Sequence, residues 1–318
     1  MSINQANQNG HGAYCSVSGL LRERFNSRDL KLFAPHPVRS AQTGRFRTRF
    51  RGRGVDFEEV RLYQAGDDIR SIDWRVTART QVPHTKLYSE ERERPVYLLC
   101  DQRSCQFFGS VQHFKSTLAC HIASCIGWAA LSSGDRVGSL VFGDHDFHDS
   151  RPKRSKHAVL QMIHLLEQYN RALTSPISDA QSVSLAQILS DGRRIAKPGS
   201  ALFVISDFSD LDSAAEKELF HMSRHLDVTL IQVFDPLERQ LASRTALAIS
   251  DGDQRKLLPV HQKNFQQAFE SLAQRKQQQL TDVCTRLQIE LLPISTADDY
   301  VKLLRQRFTA SPRMARRR

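Results

Sequence analysis

Four short apolar runs, "PVYLLCD", "DRVGSLVFGD", "ALFVISD" and "DVTLIQVFD", alternate with longer segments of helical periodicity, and each closes on an aspartate. A strand that is apolar at nearly every position has no side for water, so it must be covered on both faces. Such strands alternating with helices specify an α/β fold: a mostly parallel central sheet flanked by helices, in the Rossmann-like manner. Helices are predicted over roughly 112–132 and in "SKHAVLQMIHLLEQYNRAL", "VSLAQILSDGRRIA", "SAAEKELFHMSRHL", "NFQQAFESLAQRKQQQLTDVCTRL" and "DDYVKLLRQRF". A further strand is read at "IELLPI" and a hairpin around "ALAISDGDQRKLLPV". Open sheets of this class bind ligands beyond the carboxyl ends of their strands. Asp101, Asp144, Asp207 and Asp235 stand at such ends.

The region before the first run has another pattern. Residues 1–19 are polar and read as disordered, and "GLLRERFNSRDLKLF" follows as a short amphipathic helix with an extended exit. In "GRFRTRFRGRGVDFEEV" the arginines at 45, 47, 49, 51 and 53 alternate strictly, so a strand would set all five on one face. "DDIRSIDWRVTART" predicts a short helix. Asp67 and Asp68 suit its N-cap and first turn, where free N–H groups and the dipole favour carboxylates. Asp73 pairs locally with Arg70 and Arg75, and Trp74 anchors the turn on the core. "HTKLYSEERERPVYLLCD" reads as one long strand. The expected organisation is a disordered start (1–19), a helix and small β-rich insert (20–94), the α/β domain (95–308) and a basic disordered tail (309–318).

Charge and cysteine usage narrow the function classes. Of the net charge of +11, residues 1–95 carry +6, residues 96–301 carry −2 and the last 17 residues carry +7. The basicity lies in the appendages of a nearly neutral domain. The six cysteines show no CxxC spacing and fall largely in apolar runs, which suits reduced, packed thiols. The longest apolar stretch, "LACHIASCIGWAAL", is interrupted by His121 and falls short of a membrane span. With no secretory signal in the polar N-terminus, the expected compartment is the cytoplasm. No Walker A loop, GxSxG elbow or GxGxxG is present. His145 and His148 beside Asp144, Asp146 and Asp149 superficially suggest a metal cluster, but the spacing is weak evidence of one.

Two stretches carry a resemblance. "RGRGVDFEEVRLYQAGDDIRSIDWRVTART", followed by "HTKLYSEERERPVYLLCDQ", resembles the signature of the bacterial family catalogued as domain of unknown function 58. The resemblance extends over roughly residues 30–305, and the central domain resembles the von Willebrand factor A fold that the family carries. It implies a MoxR-type AAA+ ATPase as partner and a role as adaptor or assembly factor for a protein client, without an established reaction. It also implies a Mg²⁺ site made of Asp-x-Ser-x-Ser after the first strand, a later threonine and a second aspartate. Asp101 and Asp207 match the two carboxylates, but the serine positions hold Arg103 and Cys105. The threonine position falls on Val183 or its neighbours Ser182 and Ser184.

A guanidinium is always charged and pairs well with carboxylates. Arg103 is therefore expected between Asp101 and Asp207, balancing both as an ion would. A thiol is a poor ligand for a hard cation, which leaves Ser104 as the one rescuing hydroxyl. The favoured expectation is no cofactor, with Mg²⁺ at Asp101, Ser104 and Asp207 as the alternative.

The expected function is a non-enzymatic interaction protein. Its contact surface comprises Asp67, Asp68, Asp73, Trp74 and Arg75 together with Asp101, Arg103, Ser104, Cys105 and Asp207. The alternatives are a divalent-metal-dependent hydrolase at Asp101 and Asp207, or a polyanion-binding module on Arg45, Arg47, Arg49, Arg51, Arg53 and the tail. Pairing of those arginines with Asp56, Glu58, Glu59, Glu90, Glu91 and Glu93 ranks ahead of nucleic acid, which only electrostatics supports.

Overall fold

The computed structural model describes residues 12–33, 55–64, 67, 69–90, 94–173, 183–241, 247–250, 255–260 and 262–309. The chain forms two compact units, Ala34–Glu93 and a larger unit made of the residues before and after it.

The larger unit begins with α1 (Val17–Asn26), capped by the Ser16 hydroxyl, which accepts from the Gly19 N–H at 3.1 Å. In the smaller unit β1 (Val55–Leu62) pairs antiparallel with β2 (His84–Glu90), with a bulge between Phe57 and Glu59. A 3₁₀ turn (Ile69–Ser71) and α2 (Trp74–Thr80) lie between them in sequence.

The larger unit then runs β3 (Pro95–Asp101), α3 (Lys115–Ser132), β4 (Arg136–Phe142), β5 (Phe147–Lys153), α4 (Lys156–Ala172) and α5 (Leu185–Ile195). It continues through β6 (Ala201–Ser206), α6 (Ser213–Ser223), β7 (Asp227–Phe234) and the one-turn α7 (Pro236–Arg239). The hairpin β8 (Leu247–Ser250) and β9 (Arg255–Leu258), α8 (Lys263–Leu287), β10 (Glu290–Ser295) and α9 (Tyr300–Thr309) complete it. The six-stranded sheet has the order β10-β7-β6-β3-β4-β5, and every pair is parallel except β4–β5. All six residues of β6 are buried, as continuous apolar strands require. One face of the sheet packs under α1, α3, α4 and α9, the other under α5, α6 and α8.

The structure differs from, or adds to, the expectations at three places. The stretch 84–101 is two strands, β2 and β3, in separate units. The polar stretch 147–153 forms an antiparallel edge strand, which an all-apolar pattern could not reveal; only Ser150 of its seven residues is buried. Gly138 allows this strand to approach, since a Cβ there would lie 2.8 Å from the Ser150 carbonyl oxygen.

The third concerns the N-terminal segment. Residues 12–19 are ordered, and 20–33 belong to the α/β unit rather than to the insert. The Cys15 N–H donates to Asn170 Oδ1 at 2.8 Å, and Leu20 is wholly buried against α3. Buried Glu23 accepts from His121 Nδ1 (2.8 Å), the Tyr300 hydroxyl (2.7 Å) and Asn26 Nδ2 (2.9 Å). Burial works against that carboxylate's charge, yet these donors outweigh it and hold Glu23 below its ordinary pKa.

Candidate functional site

β3 and β6 are parallel neighbours in register, with Cys100 opposite Ile205. Asp101, the last residue of β3, and Asp207, the first residue after β6, therefore meet at the carboxyl end of the sheet. Asp101, Cys105 and Asp207 each place one oxygen or sulfur atom within 4.8 Å of the others. Among the described residues this is the one group of three or more acidic, thiol or imidazole side chains so gathered. The stretch 144–149 with its two histidines does not form another.

Asp101 has no exposure and is surrounded by donors. Its Oδ1 accepts from the Arg103 backbone N–H and Nε, both at 3.0 Å. Its Oδ2 accepts from Arg103 Nη2 and the Ser206 hydroxyl, both at 2.7 Å, with Gln106 Nε2 at 3.4 Å. Burial pushes the Asp101 carboxyl above its ordinary value, Arg103 pulls it back, and the charge on Asp207 raises it again. Every neighbour donates, so the group serves as a carboxylate acceptor.

The second partner of Arg103 is Asp210, not Asp207. Nη1 reaches Asp210 Oδ2 at 2.6 Å and Nη2 reaches Oδ1 at 3.0 Å, while Nη1 also donates to the Val183 carbonyl at 3.1 Å. The backbone turn that returns the Arg103 N–H to Asp101 aims the side chain past the strand ends, toward the loop after β6. Asp210 lies there and also accepts from the Leu185 N–H at 2.9 Å. Burial disfavours charge on both, and their pairing outweighs it: Arg103 is held above its ordinary pKa and Asp210 below.

Asp207 has its own cation. Lys115 Nζ donates to Asp207 Oδ2 at 2.8 Å and to Glu238 Oε1 at 2.6 Å, and the Ser209 N–H donates to Asp207 Oδ1 at 3.0 Å. Lys115 is 1% exposed at the first position of α3. Desolvation and the positive end of the helix dipole both oppose an ammonium there. The two carboxylates overcome that opposition and keep its pKa above the usual lysine value. Each cation thus bridges an inner, buried acid to an outer, half-exposed one.

The remaining strand-end acids are also engaged. Asp144 accepts from the Ser104 N–H (3.0 Å) and hydroxyl (3.1 Å), so the one hydroxyl left in the loop holds a neighbouring loop. Fully buried Asp235 accepts from the Ser110 N–H (2.7 Å) and hydroxyl (2.5 Å), the Thr296 hydroxyl (2.6 Å) and the Leu237 N–H (2.9 Å). These donors outweigh burial and hold Asp235 below its ordinary pKa. Ser110 and Asp235 pin the loop after β3 to the end of β7.

These residues do not fit a hard divalent ion. Such an ion needs about six oxygen ligands, whereas both inner carboxylates already neutralise side-chain cations. Desolvation of its sulfur pushes the Cys105 thiol well up, with Asp101 and Asp207 adding to the rise, and a thiol is a poor ligand for a hard cation. Val183, at the expected threonine position, offers Arg103 only its carbonyl. Ser184 caps α5, accepting from the Gln187 N–H at 3.2 Å, and Ser182 lies outside the described residues.

In the smaller unit the N-cap of α2 is Asp73, whose Oδ1 accepts from the N–H groups of Arg75 (3.0 Å) and Val76 (3.2 Å). Asp67, expected there, instead accepts from the Gln64 N–H (3.0 Å) and pairs with Arg61 (2.8 Å). The Gln64 donation, followed by that of Arg61 against a desolvation penalty, holds its carboxyl below the ordinary value. Trp74 does not anchor a core: it is 66% exposed, and Arg75 beside it is exposed too. Asp68 and the arginines 45, 47, 49, 51 and 53 lie outside the described residues.

The sequence reading missed Lys115, Asp210 and Glu238. A lysine opening an otherwise apolar helix was the available signal for the first. The Asp-Pro-x-Glu capping box of α7 was the signal for the third.

The family model described as "Protein of unknown function DUF58" matches residues 59–279. The chain belongs to this family. Curated DUF58 relatives include an uncharacterized protein of Mycobacterium tuberculosis and one of Mycobacterium bovis. Each is 28% identical over 205 residues, covering 64% of this chain and 62% of its own length. The match therefore spans less than two thirds of those relatives. Among solved structures, the conserved hypothetical protein BatB of Bacteroides thetaiotaomicron matches with a TM-score of 0.42 and 14% identity, over 67% of this chain and 96% of its own. An uncharacterized membrane spanning protein of Vibrio fischeri matches with a TM-score of 0.23 and 9% identity, over 68% and 97%. Both scores are too low to carry a conclusion about this DUF58 chain. Among its described residues, no helix is long and apolar enough to cross a membrane.

Proposed function

We propose that this DUF58 protein is a non-enzymatic adaptor, built on a von Willebrand factor A-like domain, that acts with a MoxR-type AAA+ ATPase on a protein client in the bacterial cytoplasm. The observation that carries the reading is the internal neutralisation of the strand-end acids by Arg103 and Lys115. A hydrolase needs an acid, base or ion free to meet substrate, whereas here the inner carboxylates are committed to pairs with Arg103 and Lys115. The groups left at the surface suit recognition. Cys105 and Ser110 are exposed on the strand-end face, as is Val111 at 58%. In the smaller unit, Trp74 and Arg75 are residue types that dominate binding hot spots. The partner itself is proposed from the resemblance of the signature region 51–102.

The test is co-purification of the full chain with the MoxR-type ATPase encoded in the same genome, with and without ATP. Retention in one nucleotide state, weakened at least tenfold by Trp74→Ala or Val111→Glu, supports the adaptor reading. No retention in either state refutes it. Divalent-dependent turnover on a phosphoester panel, lost in Asp101→Asn, would favour the hydrolase instead.

A further inference from the structure

The face built by α1 and α9 is basic, carries apolar side chains and has no part in the strand-end site. The two helices are tied together: the Lys31 N–H donates to the Phe308 carbonyl (3.1 Å), Arg305 pairs with Asp29 (3.6 Å), and the Tyr300 hydroxyl reaches Glu23. Helix α1 turns Leu20, Glu23 and Ser27 inward. Its outer side carries Leu21 (36% exposed) and Phe25 (59% exposed), one helical turn apart, among exposed Arg22, Arg24 and Arg28. Arg28 lies over the Phe25 ring, 5.0 Å from its centroid.

Exposed Lys31 and Lys302 extend the charge. Of the acids here, Asp29 is matched by Arg305, exposed Asp298 accepts from the Ser295 N–H, and Asp299 caps the start of α9, accepting from the Lys302 N–H. Glu290 is matched by Arg307.

We infer that this face docks on an anionic membrane surface, with Phe25 and Leu21 entering the headgroup–acyl boundary and the surrounding arginines and lysines meeting lipid phosphates. A nucleic-acid backbone would satisfy the cations but leave the Leu21–Phe25 pair in water. A lipid interface takes both, and an amphipathic helix with arginines flanking an apolar stripe is the form it selects. The inference is independent of the adaptor reading.

The test is co-sedimentation of the full chain with phosphatidylcholine vesicles, with and without phosphatidylglycerol, at low and high salt. The expected result is binding only to the anionic vesicles, falling with salt. Replacing the arginines (Arg22→Glu, Arg24→Glu and Arg28→Glu together) should weaken it by roughly fivefold or more per charge, and Phe25→Ser several-fold. All four side chains are exposed, so melting temperatures should hold, and Phe25→Ser alone serves if the charge-reversed chain fails to fold. Absence of sedimentation, equal binding to uncharged vesicles, or undiminished binding by the charge-reversed chain would overturn the inference. Capture on single-stranded DNA that Phe25→Ser does not affect, without vesicle binding, would assign the face to polyanions and overturn it equally.

Discussion

Replacing Arg103 with methionine keeps the volume of the side chain and deletes its charge, leaving the wholly buried Asp101 carboxylate without its bidentate partner. Removing one member of a buried ion pair costs about 3–5 kcal/mol. Asp101 keeps the Ser206 hydroxyl, the backbone N–H of residue 103 and Gln106, so the low end applies, about 3 kcal/mol. In a domain of this size that lowers the melting temperature by roughly 6–12 °C.

The deficit must also depend on pH. Burial already places the Asp101 pKa above its unfolded value, and loss of the guanidinium raises it further. An acid with a raised folded pKa costs stability above its unfolded pKa of about 4, by about 1.4 kcal/mol per unit of separation, and that cost disappears on acidification. Arg103→Met should therefore lose most stability at pH 7–8 and less at pH 5. Adding Asp101→Asn should recover part of the loss, because the uncompensated charge is then gone. Urea unfolding followed by circular dichroism at each pH measures all three chains. A loss below about 1 kcal/mol, far under the buried-pair cost, or a deficit that does not change with pH, would refute the assignment of Arg103 as the counter-charge of Asp101.

Other outcomes follow from the same geometry. Lys115→Met should destabilise by about 3 kcal/mol, with partial recovery on adding Asp207→Asn, since it strands a buried carboxylate; additive losses would contradict the pairing. Ser110→Ala and Thr296→Val each remove a hydrogen bond to charged Asp235 and should each cost about 1.5–3 kcal/mol in denaturant titrations; neutral effects would argue against the pinned loop. Glu23, Asp210 and Asp235 are held below their ordinary values, so their stabilisation is present above the unfolded pKa of about 4 and lost as pH falls through the folded values. An unfolding midpoint that stays level from pH 5 down to about 2.5 would contradict this. Cys105 should react slowly with a disulfide reagent at pH 8 despite its exposure, and faster in Asp207→Asn; reaction at the rate of a free thiol would disprove its raised pKa.

The parallel core was legible because β3, β4, β6 and β7 are apolar at nearly every position, a pattern only a doubly covered sheet satisfies. Edge strand β5 was not, since "FHDSRPK" buries one residue and pairs through its backbone. The cationic replacement was half legible. Residue type alone makes Arg103 a counter-charge for Asp101, but its second partner depends on the course of the loop after β6, and so the sequence suggested Asp207 where the structure has Asp210. Lys115 resembles a surface residue at a helix start until the strand ends close over it. Trp74 was misplaced because a tryptophan is on average largely buried, and in α2 it remains exposed.

The central claim, that two side-chain cations stand where an exchangeable ion would otherwise balance the strand-end acids, is tested most directly by calorimetric titration of Mg²⁺ and Mn²⁺ into chelator-treated protein. The account predicts no saturable heat in the micromolar range for either ion, and the same flat titration in Asp101→Ala. Micromolar binding to the unaltered chain that disappears in Asp101→Ala would contradict it.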